Sequence, residues 1–319
     1  NVLYMLELAG IPLLSKDRGD GNKYPLIIAG GTCVYNPEPV ADFVDLFSIG
    51  EGEEHLSEIA RTIIEYKESC GGTFSKRELL LKLANLSGLE GSYVPMFYDV
   101  KYEGRDGTIS EITPNTQGVP ERVTKRLVTD FKKSYYPEKP VVPFIETVHD
   151  RISLETSRGC IRGCRFCQAG MVYRPYRERD YDKLCCMAKE TFNSTGYEEI
   201  SLLSLSISDY TNLRGLVDGL KEWTDEKKVG LSLPSMRIDA FEAEIMEKVN
   251  GVRKTGLTFA PEAGTQRLRD VINKNLTEEE RQVVVKYPEI GSGIISAIAD
   301  NQSDTFVKLI LLSKIVQNN

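Results

Sequence analysis

Hydrophobic positions fall into two separate rhythms along the chain, with a change of texture between them. Residues 3–9 form an apolar helical segment. Pro25-Leu26-Ile27-Ile28-Ala29 is a short continuous apolar run that ends in Gly30-Gly31, the pattern of a buried parallel strand meeting a tight turn. Residues 37–45 predict a helix and 46–49 a second buried strand. Gly50-Glu51-Gly52-Glu53-Glu54 then opens an amphipathic helix that runs to about Glu68. Strand, helix, strand, helix in succession predicts an open parallel α/β sheet.

From 71 to 150 the pattern loosens. A helix is expected over 75–85, then a hairpin pairing 97–102 with 108–112 around Gly104-Arg105-Asp106-Gly107. Prolines 114, 120, 137, 140 and 143 mark an extended linker, where the domain boundary is expected. A second α/β rhythm follows. Its strands are predicted at 151–156, 199–205, 230–233 and 254–259, with helices at 180–193, 210–226 and 240–249. Four βα units in series suit a barrel or partial barrel, in which reactive groups gather at the strand C-termini. The expected divisions are therefore 1–70, 71–150, 151–280 and an atypical or truncated tail, 281–319. No fixed-period repeat or low-complexity tract is present.

At 319 residues the chain is long enough for a substantial core and about two domains. Its 41% hydrophobic and 27% charged content is that of an ordinary globular protein. The formal charge of -7 argues against a broad non-specific nucleic-acid binder. No apolar run approaches the roughly 20 residues of a membrane helix, and Asn1-Val2-Leu3 does not open a signal peptide, so a cytoplasmic location is expected. Residues 1–7 read as the middle of a helix without a cap or an initiator methionine, which predicts a fragment or a mis-started gene model.

The chemistry concentrates in Arg158-Gly159-Cys160-Ile161-Arg162-Gly163-Cys164-Arg165-Phe166-Cys167. Three of the seven cysteines stand here in the spacing C-x3-C-x2-C, just after the first barrel strand. Such a cluster in a reducing compartment reads as a metal site. Three thiolates on one short loop can grip three irons of a cubane and leave the fourth open, while Gly159 and Gly163 let the backbone curl around it. A structural zinc site is the alternative and needs a fourth ligand. Cys185 and Cys186 are the nearest candidates but lie about one helix away; with Cys33 and Cys70 they read as ordinary cysteines.

This loop resembles that of the radical S-adenosylmethionine (SAM) superfamily, with Phe166 in the aromatic position before the last cysteine. The resemblance implies a [4Fe-4S] cluster on Cys160, Cys164 and Cys167, SAM on the open iron, and a flavodoxin or ferredoxin as electron donor. One-electron cleavage of SAM would then give a 5'-deoxyadenosyl radical, with the cofactor carrying the hard chemistry. Further SAM contacts are implied at three strand ends. Ser206, Ser208 and Asp209 stand where the family binds the SAM amino group, with a helix cap as the alternative. Ser235 and Arg237 stand at the ribose and carboxylate position. Glu262 stands near the adenosine position, and Thr265 is a candidate helix cap.

Arginines 158, 162, 165, 174, 177 and 179 crowd the loop, either as a solvated face or as contacts to the cluster or an anionic substrate. His55 and His149 have no metal or triad context. The first domain resembles the back half of a flavodoxin-like, cobalamin-binding domain, in which Gly30 and Gly31 would contact the cobalamin tail. The Asp-x-His-x-x-Gly signature would lie upstream, but no histidine precedes His55, so either that part is missing from this fragment or the domain keeps the fold without the ligand. The resemblance is legible over residues 1–280. It leaves the substrate open between an RNA base and a small molecule, and the rival function is a non-catalytic iron–sulfur or cobalamin-binding module.

Overall fold

The computed structural model describes residues 1–21, 23–71, 74–85, 90–104, 107–145, 147–240, 243–253, 258–280 and 294–298. They form two compact units, Asn1–Asp130 and Phe131–Asn319.

In the first unit, helix α1 (Val2–Leu8) leads into a segment held by buried charge. Arg18 reaches Asp45 through Nε at 3.3 Å and Nη2 at 3.1 Å, and Lys76 Nζ lies 2.7 Å from the same carboxylate. Burial works to raise the Asp45 pKa, but donation from Ile27 N–H, Lys76, Ser15 and Arg18 wins and holds it below the ordinary value. The remaining donors of Arg18 and Lys76 are taken by carbonyls of Pro12, Leu13, Phe43, Ser15 and Arg18, so this buried cluster is fully hydrogen-bonded.

Strand β1 (Ile28–Gly30) pairs parallel with β2 (Leu46–Ser48). The crossover between them is two short 3-10 turns, Thr32–Tyr35 and Glu38–Phe43, where a helix was expected over 37–45. Helices α2 (Gly52–Ser69) and α3 (Lys76–Asn85) follow as the periodicity predicts. Strand β3 (Ser92–Tyr93) then pairs antiparallel with β2, so the sheet is mixed rather than all-parallel. Strands β4 (Tyr98–Glu103) and β5 (Thr108–Pro114) form the expected hairpin; residues 105 and 106 of its loop lie outside the described residues.

Leu46, Phe47, Ile59, Leu79, Leu80, Leu83, Val94 and Phe97 are the buried centre of this unit. Each fully buried side chain of this kind contributes about 1.5–3 kcal/mol. His55 is buried among them, bonded through Nδ1 to Ser48 Oγ at 2.8 Å and through Nε2 to Ser92 Oγ at 3.1 Å. It is a structural histidine that ties α2 to β2 and β3.

In the second unit, β6 (Ile152–Glu155) enters the sheet. A ribbon of β7 (Ser157–Arg158) and β8 (Arg177–Glu178) brackets the short helix α4 (Ala169–Val172). Helix α5 (Tyr181–Thr195), β9 (Glu199–Leu203), α6 (Leu213–Lys227), β10 (Gly230–Ser232) and α7 (Ala243–Val249) continue the alternation. Strands β10, β9 and β6 lie side by side, all parallel. Helix α5 buries Leu184, Met187 and Ala188, and α6 buries Leu213, Leu216, Val217 and Leu220. These i, i+3, i+4 stripes pack on Leu154, Ile200, Leu202 and Leu231.

Strand β11 (Thr258–Ala263) is followed by α8 (Gln266–Val271) and pairs parallel with β12 (Ile294–Ile298). Residues 254–257 of the expected fourth strand lie outside the described residues, as does the expected tail 281–319 apart from β12. Among the described residues no helix is long and apolar enough to cross a membrane.

Candidate metal centre

The chain leaves β6 through Thr156, runs along β7, and turns at Gly159 into the cysteine loop. Gly159 has φ +87°, and a Cβ there would stand 2.6 Å from the Pro175 carbonyl oxygen and 2.7 Å from that of Tyr173. Only glycine fits this approach. From the other side the end of α8 braces the loop. Asn273 Nδ2 donates to the Gly163 carbonyl at 2.8 Å, and the Arg165 amide donates to the Ile272 carbonyl at 2.9 Å.

Cys160, Cys164 and Cys167 thereby line one cavity of about 280 Å3, together with Phe166, Ser206, Ser235, Arg237, Asp239, Glu262 and Lys274. Two sulfurs already accept backbone hydrogens: the Arg162 amide donates to Cys160 Sγ at 3.4 Å, and the Gly170 amide to Cys167 Sγ at 3.3 Å. Burial pushes the Cys160 thiol pKa up, and the Arg162 amide pulls it partly back. All seven cysteines are free. Among the described residues no three His, Cys, Asp or Glu converge as a cage for a single metal ion. Among the described residues that line the cavity there is no histidine or fourth cysteine, the ligands that usually close a structural zinc site. The loop has the donor set for a group with several corners.

Beside the thiols runs a ladder of alternating charge. Arg162 forks onto Asp209, with Nε 3.0 Å from Oδ2 and Nη2 on Oδ1, and its Nη1 donates to Asp239 Oδ2 at 3.1 Å. Arg237 forks onto the same Asp239 at 2.8 and 3.0 Å and donates to the Lys274 carbonyl at 3.0 Å. Burial works to raise the Asp209 pKa, but the Arg162 guanidinium outweighs it and the carboxyl stays below its ordinary value.

The expected site residues divide accordingly. Phe166, Ser206, Ser235, Arg237 and Glu262 line the cavity with the three cysteines. Ser208 and Asp209 do not: Ser208 Oγ accepts the Arg237 amide at 2.9 Å, and Asp209 sits behind Arg162 with its side chain 5% exposed. The Ser206 hydroxyl is buried without a hydrogen-bond partner among the described residues, close enough to Asp209 to help hold its charge but outside bonding geometry. Glu262 adopts φ +68° at an irregularity in the β11–β12 register, and Lys274 Nζ lies 3.3 Å from its carboxylate. A left-handed backbone at a non-glycine residue costs on the order of 1–3 kcal/mol and concentrates at functional sites.

Asp239 and Lys274 are the cavity residues that the sequence reading missed. The asparagines on either side of Lys274, residues that tolerate the left-handed backbone both adopt, are the signal the sequence offers. Thr265 caps α8, accepting the Leu268 amide at 3.4 Å. In the first unit Gly30 ends β1 and Gly31 turns with φ +98°, with open space where a Cβ would stand.

Residues 154–297 match the family described as Radical SAM superfamily, and residues 1–95 match the family described as Radical SAM proteins, N-terminal. Residues 154–297 are a radical SAM domain. The match runs through β12, beyond the 280 residues over which the likeness was legible by eye. The chain is 29% identical over 266 residues to the uncharacterised protein MJ0966 of Methanocaldococcus jannaschii. That alignment covers 83% of this chain and 49% of the relative. It is 23% identical over 235 residues to the putative methylthiotransferase MJ0865 of the same organism, covering 69% of this chain and 49% of the relative. The chain thus spans about half the length of the curated relatives it matches.

Two solved structures share its fold. The cobalamin-dependent SAM radical enzyme OxsB, with aqua-cobalamin and SAM bound, superposes with TM-score 0.56 at 15% identity, over 93% of this chain and 38% of that one. The radical SAM methyltransferase TsrM of Kitasatospora setae, with tryptophan and a SAM analogue bound, gives TM-score 0.52 at 13% identity, over 86% and 49%.

Proposed function

We propose that this chain is the core of a radical SAM enzyme that cleaves SAM reductively to modify a further substrate. The observation that carries the reading is that Cys160, Cys164 and Cys167 share one cavity with Arg237, Glu262 and Lys274, next to the Arg162–Asp209 pair. The three thiolates would hold a [4Fe-4S] cluster. When bound, that cluster supplies the electron that opens the SAM sulfonium to a 5'-deoxyadenosyl radical.

The chain's own residues position and exclude. Arg237 and Lys274 offer cationic donors to a carboxylate, Ser206 and Ser235 offer hydroxyls, and Glu262 offers an acceptor to the adenosine end. Asp209 acts through Arg162, holding that guanidinium against the cysteine loop, while Ser208 fixes the Arg237 backbone. Phe166 and Leu205 give the cavity an apolar side.

Cobalamin fits less well. The Gly30–Gly31 turn leaves room for a ligand's polar tail, but neither histidine is available as an axial ligand. His55 is spent between Ser48 and Ser92, and His149 Nδ1 accepts from Arg151 at 2.6 Å. A reduced flavodoxin or ferredoxin in the cytoplasm is the fitting electron donor, and the substrate is an RNA base or a small molecule.

The test is anaerobic reconstitution with iron and sulfide, followed by SAM and a low-potential reductant. The reading predicts 5'-deoxyadenosine. Cluster absorbance without any SAM cleavage would instead mark a non-catalytic iron–sulfur module.

A further inference from the structure

We propose that Phe131 is a positioning residue for the cysteine loop, its ring clamping the β7–β8 ribbon through three guanidinium groups; the assignment rests on the loop holding the metal centre. Phe131 is 3% exposed. Three arginines stand around its ring, with guanidinium carbons 4.6 Å (Arg179), 4.9 Å (Arg158) and 5.4 Å (Arg177) from the centroid. All lie within the reach of a cation–π contact.

Their origins make this a clamp. Arg158 is the last residue of β7, Arg177 is its partner across the ribbon on β8, and Arg179 follows β8. One ring therefore touches both strands. It is fixed from behind, since the Phe131 carbonyl accepts from Ser134 Oγ at 2.9 Å, from the Ser134 amide at 3.2 Å and from Arg179 Nη1 at 3.3 Å. Glu155 takes both forks of Arg158, at 2.8 and 2.9 Å, and lies 3.7 Å from Arg179. Three like charges gathered this closely repel one another. Glu155 offsets part of that repulsion at Arg158 and Arg179; an aliphatic side chain at 131 would fill the space and add nothing to this, whereas the negative face of an aromatic ring attracts all three guanidiniums.

The ribbon has leverage on the metal centre. Only Gly159 separates Arg158 from Cys160, and Gly159 is wedged against the carbonyls of Tyr173 and Pro175, at the foot of β8. A slip of the ribbon therefore passes into Cys160 without a flexible link to absorb it.

The experiment replaces Phe131 in the full chain by mono-, tri- and pentafluorophenylalanine, which lowers the ring quadrupole at nearly constant volume. Phe131→Leu and Phe131→Trp complete the series. The first readout is the alkylation rate of Cys160 in metal-free protein, by mass spectrometry, against exposed Cys186 as internal reference. The second is the EPR line shape of the reconstituted, reduced protein.

Cys160 alkylation is expected to rise stepwise with fluorine count. It should reach on the order of tenfold, the ratio given by about 1.4 kcal/mol of lost cation–π attraction. Phe131→Leu should match the trifluoro variant, whose ring face is nearly neutral, and stay below the pentafluoro variant, whose face repels cations; Phe131→Trp should stay near wild type, and the EPR signal should broaden in the same order. A response that is flat across the fluorine series overturns the proposal, as does a loss of melting temperature with Cys160 reactivity unchanged. Uptake of zinc in place of iron would end the SAM-cleavage reading, yet the alkylation series would still test the clamp.

Discussion

Arg162, in the middle of the cysteine loop, forks onto Asp209 at the end of the neighbouring strand, with Nε 3.0 Å from Oδ2 across 47 residues of sequence. The Asp209 side chain is 5% exposed and the Arg162 side chain 25%. Removing the guanidinium leaves a nearly buried carboxylate with only the more distant charge of Arg237 and the nearby Ser206 hydroxyl to steady it. We expect Arg162→Ala to cost about 1–3 kcal/mol of stability in urea melts. Adding Asp209→Asn should recover part of it, so that the double-mutant cycle shows coupling. Arg162→Lys should fall between, since one ammonium cannot serve both Asp209 and Asp239. Additive single effects would mean that the pair holds nothing in place.

Gly159 gives a sharper probe of the loop's path. Its φ of +87° and the carbonyls of Pro175 and Tyr173, 2.6 and 2.7 Å from a would-be Cβ, leave no room for alanine. Gly159→Ala should abolish iron retention after gel filtration while the far-ultraviolet circular dichroism stays native. The cost to folding should be on the order of 1–3 kcal/mol, a local strain. Full iron content in this variant would show that the cysteines do not depend on that turn.

The first unit should reveal itself through pH. Burial, assisted by the charge of Arg126, lowers the His55 pKa from 6.5 to about 4. The unfolded chain takes up a proton near pH 6.5, whereas the folded chain resists until about pH 4. The native state therefore keeps its full stability above the unfolded pKa. It loses about 3 kcal/mol between pH 6.5 and 4, and this group adds no further loss below that. His55→Gln should flatten the stability profile in that window. An unchanged slope in chemical melts of the variant would contradict the assignment.

What the sequence reveals here depends on distance along the chain. The cysteine loop is legible because its spacing is local, and α2, α5 and α6 because their apolar stripes repeat every three to four residues. The charge ladder is not local: Arg162 reaches Asp239 across 77 residues, and no window of sequence contains both. Asp209 reads as an open ligand in isolation and proves to be occupied by Arg162. Strands β3, β7 and β8 are two residues long, too short to show alternation. Residues 37–45 read as a helix, whereas the structure has only a six-residue 3-10 turn there, Glu38–Phe43, too short to show a helical period.

The central claim is that three thiols hold a cluster with one corner left for SAM. The direct measurement is the EPR spectrum of the anaerobically reconstituted, reduced protein with and without SAM, alongside the Cys160→Ala, Cys164→Ala and Cys167→Ala variants. The account predicts a [4Fe-4S] signal whose line shape changes when SAM is added, and its loss in each variant. A protein that binds tetrahedral zinc, or that keeps its iron after those substitutions, would contradict it.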